Sequence, residues 1–144
     1  MPSIISKIRQ KKSLSQFIKF GIVGVSGTLV DLGFYNLLAL YFGYNIYLSR
    51  TFSFIFAAIN NYIWNRVWTF RSQSKKITQE FIKFFIVSAI GLLLNLAIMK
   101  LLQPFSEKLQ TDFLQKNVPV LIAIVIVFIW NFIINKIWTF KKLK

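Results

Sequence analysis

The chain has no cysteine and no histidine, and only four of its 144 residues are acidic: Asp31, Glu80, Glu107 and Asp112. Without cysteine there is no disulfide and no thiolate chemistry. Without histidine the commonest acid/base group and metal ligand is missing. Four acids spread along the sequence argue against paired-carboxylate catalysis. No catalytic residue, metal site or cofactor is expected, and the chain reads as a non-enzyme.

Apolar surface and positive charge are present in excess. The composition is 56% hydrophobic, with 16 Phe and 4 Trp, yet the net charge is +14. These properties conflict in a soluble domain. They agree in a membrane protein, where apolar spans alternate with basic ends. Nucleic-acid binding would account for the charge but not for the spans, so the expected surroundings are membrane lipids and no nucleic acid.

Residues 1–16 are polar and basic, with Lys7, Arg9, Lys11 and Lys12. No small-residue cleavage site follows, and the next apolar run is too long for a signal peptide. Four spans are read at Phe17–Phe42, Leu48–Phe70, Phe81–Leu102 and Val118–Phe140. Each reaches the roughly 20 residues that cross a ~30 Å hydrocarbon core. Gly43-Tyr44-Asn45 is a short turn, Arg71–Gln79 a basic loop, and Gln103–Asn117 a longer polar loop containing Pro104. The transmembrane domain is placed at 17–141 and a basic tail at 142–144.

The chain repeats itself. Phe17-Ile18-Lys19-Phe20 recurs as Phe81-Ile82-Lys83-Phe84, and the same 64-residue offset sets Gly27 on Gly91 and Asp31 on Asn95. Asn61-Tyr62-Ile63-Trp64-Asn65-Arg66-Val67-Trp68-Thr69-Phe70 recurs 70 residues later as Asn131-Phe132-Ile133-Ile134-Asn135-Lys136-Ile137-Trp138-Thr139-Phe140. The six-residue difference lies between spans three and four. The fold expected is all-α, four transmembrane helices as two duplicated parallel hairpins (17–70 and 81–140), related by an axis along the membrane normal. Fourteen Lys and Arg fall on the side of the termini and the middle loop, against Arg50, Lys100, Lys108 and Lys116 on the other. That asymmetry puts both termini of a multi-pass protein in the cytoplasm.

In both long motifs two Asn stand i, i+4, on one helix face, followed by a cation and an aromatic flank suited to a membrane interface. Asn61, Asn65, Asn131 and Asn135 are candidate headgroup contacts, with interhelical hydrogen bonding as the plainer role. Lys19 and Lys83 begin the odd spans, and Arg66 and Lys136 end the even ones. A phosphate there would meet cations and helix N-termini, with Arg able to grip it bidentately. Flanks that set topology would look the same. Gly24, Gly27, Thr28 and Asp31 share a face, with Ser88, Gly91 and Asn95 as counterparts, and small residues there let helices approach closely.

Asp31 stands 12 residues past Lys19, about 18 Å along a helix. An ionised Asp at that depth costs about 2.5–3.5 kcal/mol on insertion scales and usually marks function. Arg50 lies within ~6 Å of the same depth in an antiparallel hairpin, and its side chain can snorkel toward the acid. The two are a possible gate pair that a passing anion would open.

On Phe17–Thr28, Asp31 and the Asn61–Phe70 motif the chain resembles the GtrA-like family of small four-span membrane proteins, with weaker second copies. The resemblance implies a role in cell-surface polysaccharide or glycolipid synthesis. It implies translocation of a polyprenyl-phosphate-linked monosaccharide across the cytoplasmic membrane. The alternative is a non-transporting subunit that docks a glycosyltransferase partner to its lipid-linked substrate. A proton-coupled exporter of cationic drugs is a third reading, suggested by one membrane acid. Substrate-binding residues carried by the leading reading are Lys19, Asp31, Asn61, Asn65, Arg66, Lys83, Asn95, Asn131, Asn135 and Lys136. Ser88 and Asn95 depart from Gly24 and Asp31, so the site should lean toward the first hairpin. Four short helices enclose little room, which favours a homo-oligomer.

Overall fold

A computed structural model of the chain describes residues 4–108 and 110–141; the basic tail at 142–144 lies outside them. Four helices make up two units, which divide between Gln73 and Ser74. In the first, α1 (Ile4–Asn36) runs on through a wide turn at Leu37–Tyr41, and α2 (Ile46–Trp64) through another at Asn65–Thr69. In the second, α3 (Ile77–Ser106) pairs with α4 (Asp112–Ile134), which ends in a third wide turn at Asn135–Thr139. Among the described residues there is no strand, and the protein is an all-α membrane protein.

Three stretches, Gln10–Tyr41, Ile77–Ser106 and Asn117–Thr139, are long and apolar enough to cross a bilayer. The fourth helix, α2, is the polar one. It carries Arg50, Ser53, Asn60 and Asn61 along its length. Outward-facing Ile22, Leu29, Leu93 and Leu121 are exposed, as lipid-facing side chains must be. In lipid no hydrophobic force drives helix on helix, so packing and polar contacts must hold each hairpin.

Two boundaries differ from the sequence reading. The basic segment at 1–16 is helical from Ile4 onward and continuous with the first span. Nothing in residues 4–16 breaks a helix, since no Pro or Gly interrupts them. The loop placed at Gln103–Asn117 shrinks to residues 107–111. Pro104 falls within the last turn of α3, where Ser106 Oγ donates to Gln103 O at 2.8 Å. Thr111 caps α4 by accepting from Leu114 N at 3.3 Å. Most of the six extra residues therefore become an added first turn of α4.

The helix ends of the first unit are built alike. Phe42 N donates to Leu37 O at 3.1 Å and Phe70 N to Asn65 O at 2.9 Å, each an i→i+5 bond that widens the turn. Gly43 (φ 68°) and Arg71 (φ 50°) then take left-handed backbone. Tyr44 N reaches back to Leu38 O at 3.0 Å, and Ser72 N to Arg66 O at 2.9 Å, closing the helix ends. Asn45 Oδ1 accepts from Tyr47 N at 2.9 Å and caps α2.

Each hairpin closes on a glycine. A Cβ on Gly27 would overlap the Asn61 amide and stand 2.6 Å from its Cγ. A Cβ on Gly91 would lie 2.9 Å from Asn131 Nδ2 and 3.2 Å from Val127 Cγ1. The face grouped with it in sequence splits: Gly24 has open space around it, while Gly27 makes the approach. The small α2 residues Ser49, Ser53 and Ala57 are buried along the same seam, as is Ala123 of α4. Gly27→Ala is expected to lower stability by about 1–3 kcal/mol through overpacking. Gly24→Ala should raise it slightly, by roughly 0.5–1 kcal/mol, through helix propensity. Thermal unfolding of the purified variants separates the two.

Candidate functional site

The candidate residues gather at the open end of both hairpins and, in the first hairpin, at a second level farther along the helices. At the open end, where the termini lie, the two units repeat the same contacts. Phe20 meets Phe70 edge-on with centroids 6.0 Å apart, and Phe84 meets Phe140 at 6.1 Å. Lys19 Nζ stands 5.1 Å over the Trp68 ring, and Lys83 Nζ 5.4 Å over Trp138. These are cation–π distances, most favourable on Trp. Both tryptophans, read from sequence as interface anchors, also hold the lysines in place.

The cation after the second Asn leans back one turn onto the aromatic at motif position two. Arg66 Nη1 donates to Tyr62 Oη at 3.5 Å, and Lys136 Nζ lies 5.3 Å over Phe132. The side chains at i and i+4 meet as helix geometry requires. Asn61 and Asn131 rest on their glycines. Asn65 and Asn135 are buried within the wide turns, as are Thr69 and Thr139. Asn135 Nδ2 donates to Asn131 O at 2.8 Å.

The second level exists only in the first hairpin. Arg50 Nη1 donates to Asp31 Oδ2 at 2.9 Å, and Ser53 Oγ donates to Asp31 Oδ1 at 2.7 Å. Arg50 also lies 5.7 Å over the Tyr35 ring. The acid is shielded and the guanidinium open, with side chains 17% and 59% exposed. One and a half to two turns toward the open end, Asn60 Nδ2 donates to Ser26 Oγ at 3.2 Å. In the second hairpin the counterparts of Asp31, Arg50 and Ser53 are Asn95, Val120 and Ala123, and those of Ser26 and Asn60 are Ile90 and Trp130. All members of each cluster change together, so no charge is left unpaired. The Asn95 side chain is half-buried and makes no hydrogen bond among the described residues.

The structure thus places Lys19 on Trp68 and Arg66 on Tyr62 toward the open end of the first hairpin, Asn65 in the wide turn, Asn61 farther in against Gly27, and Asp31 with Arg50 beyond it. Sixteen residues of helix, about 24 Å, separate Arg50 from Arg66. Ser53, Tyr35, Thr69 and Thr139 were not anticipated. The two threonines recur inside both quoted motifs, which was the available signal.

The transmembrane-domain profile of the GtrA/DPMS family matches residues 19–140, a range that begins at Lys19 and closes on Phe140. The chain belongs to this family. It is 29% identical over 131 residues to the uncharacterized membrane protein YngA of Bacillus subtilis, covering 90% of this chain and 82% of that one. It is 32% identical over 87 residues to the dolichol-phosphate mannosyltransferase of Pyrococcus furiosus. That match takes 57% of this chain but only 23% of the much longer mannosyltransferase.

Within this GtrA/DPMS fold the Asp31–Arg50 pair is testable as a contact. Polar contacts between membrane helices contribute about 0.6 kcal/mol on average and up to about 1.7, so the coupling of Arg50 to Asp31 should be about 0.5–1.5 kcal/mol. A double-mutant cycle on unfolding with Asp31→Asn and Arg50→Gln measures it. Additive effects would mean that the two side chains do not interact.

Proposed function

We propose that the protein carries a polyprenyl-phosphate-linked monosaccharide across the cytoplasmic membrane, with both termini in the cytoplasm and more than one copy in the assembly. No covalent step is needed, and the reading assigns the chain no enzymatic activity. The observation that carries it is the duplicated open end, where cations stand beside buried amides on a membrane helix. Within each hairpin the two cations, Lys19 with Arg66 and Lys83 with Lys136, would hold a phosphate at the inner leaflet. Asn61, Asn65 and Asp31 in the first hairpin, and Asn95, Asn131 and Asn135 in the second, would each offer a polar face to a sugar while the lipid tail stays in the bilayer. Arg50 would leave Asp31 for the passing anion and return after it. Asp31 already engaged by Arg50 and Ser53 makes a poor acceptor for a cationic drug.

The family relationship supports a setting in lipid-linked sugar chemistry. A docking subunit for a glycosyltransferase is the second reading. It is favoured by the longer Pyrococcus furiosus mannosyltransferase, which carries a similar segment in its own chain.

Arg66→Ala should weaken binding of a polyprenyl phosphate by about tenfold or more, since a charge-assisted contact contributes about 1.5–3 kcal/mol. Lys75→Ala, in the exposed middle loop, should leave affinity unchanged. Equal affinities in a titration of the two variants would reduce Arg66 to a topology signal. Orientation has its own check: a tag on the C-terminus should be inaccessible in intact cells, and external labelling of a substantial fraction would refute it.

A further inference from the structure

In each hairpin three successive oxygens on one helix face are buried without a hydrogen-bond partner. They are Asn61 Oδ1, Asn65 Oδ1 and Thr69 Oγ1 in the first, and Asn131 Oδ1, Asn135 Oδ1 and Thr139 Oγ1 in the second. Asn65 and Thr69 are 2% and 3% exposed, and Asn135 and Thr139 are 1% and 4%. The column spans eight residues, about 12 Å of helix. At Asn135 the amide nitrogen is already committed to Asn131 O, so its oxygen is the atom left over. Buried polar atoms in native proteins are nearly always paired, and an exception needs a cause. Among the described residues two other buried side-chain atoms lack partners, Ser49 Oγ and Trp130 Nε1. Their counterparts Pro119 and Asn60 break the repeat, whereas the column recurs atom for atom.

We propose that this column is the sugar-recognition element, that Thr69 and Thr139 belong to it, and that it selects an uncharged sugar rich in hydroxyl groups. This rests on the phosphate-linked sugar reading above. The four Asn oxygens accept only, so they take O–H donors, while the Thr hydroxyls can donate or accept. A carboxylate could serve the Thr hydroxyls but has no proton for the Asn oxygens and leaves them unpaired. In the closed hairpin the wide turns lie against α1 and α3, and the oxygens stay unpaired. A headgroup entering as the helices part supplies the missing donors. The resting protein is therefore less stable than it need be, and the ligand recovers the difference.

The purified full chain tests this with three probes: farnesyl phosphate, farnesyl phosphoryl glucose and farnesyl phosphoryl glucuronate. Wild type should bind the glucose lipid at least tenfold more tightly than farnesyl phosphate, and the glucuronate lipid no more tightly. Thr69→Val with Thr139→Val removes the orphan hydroxyls without changing shape. Its unliganded melting temperature should rise by about 3 °C per site, and its preference for the glucose lipid should shrink to near unity. Thr69→Ser with Thr139→Ser should keep the preference, and the single Val variants give the same reading one hairpin at a time. A valine variant that melts lower, or does not fold, overturns the proposal, because its hydroxyls were already paired, for instance by buried water. Equal wild-type affinity for farnesyl phosphate and the glucose lipid also overturns it while leaving the phosphate reading intact. If none of the three lipids binds, both fall together.

Discussion

In each hairpin an asparagine amide lies on a glycine of the facing helix, and the rest of the packing follows from that contact. Gly27 under Asn61 and Gly91 under Asn131 bring helices close enough for the rings of Phe20 and Phe70, or Phe84 and Phe140, to meet about two to two and a half turns away. The same registration sets Lys19 over Trp68 and Lys83 over Trp138. Lipid offers no hydrophobic reward for bringing two apolar helices together, so close backbone approach and polar contacts must do it. The amide that makes the approach is also the first rung of the unpaired oxygen column. Packing and polarity are thus joined in one residue.

The two hairpins share this scaffold but differ above it. The first adds Asp31, Arg50 and Ser53, and the pair Ser26 and Asn60; the second has Asn95, Val120 and Ala123, and Ile90 with Trp130. Removing the acid alone would strand a cation in the membrane, where an unpaired charge is costly. Replacing acid, cation and hydroxyl together avoids that. The open end is thus duplicated, whereas the charged cluster belongs to the first hairpin; under the transport proposal this would divide the labour between receiving a headgroup and governing its passage.

Much of this was legible in the sequence. Four spans, the repeat and the Asn-Asn-cation motif follow from composition, hydropathy and a constant offset. The proximity of Arg50 to Asp31 follows from helical rise in an antiparallel pair. The rest depended on properties that hydropathy does not encode. Pro104 suggested a loop, yet the final turn of α3 accepts it. Gly24 and Gly27 sit on neighbouring positions of one face, and only the crossing point decides which meets an asparagine. Thr69 and Thr139 drew no assignment from the sequence, because a widened turn that buries them leaves no mark in residue type.

The central claim is that this chain moves a lipid-linked sugar by itself. The most direct measurement is translocation of a fluorescent polyprenyl-phosphate glucose in vesicles that contain only this protein, read as loss of the inner-leaflet pool to an impermeant quencher. Flipping by the protein predicts a rate that rises with protein-to-lipid ratio and falls when Arg66 is replaced by Ala. Protein-free background rates at every ratio, from folded protein that still binds the lipid, would contradict it and leave the docking role in its place.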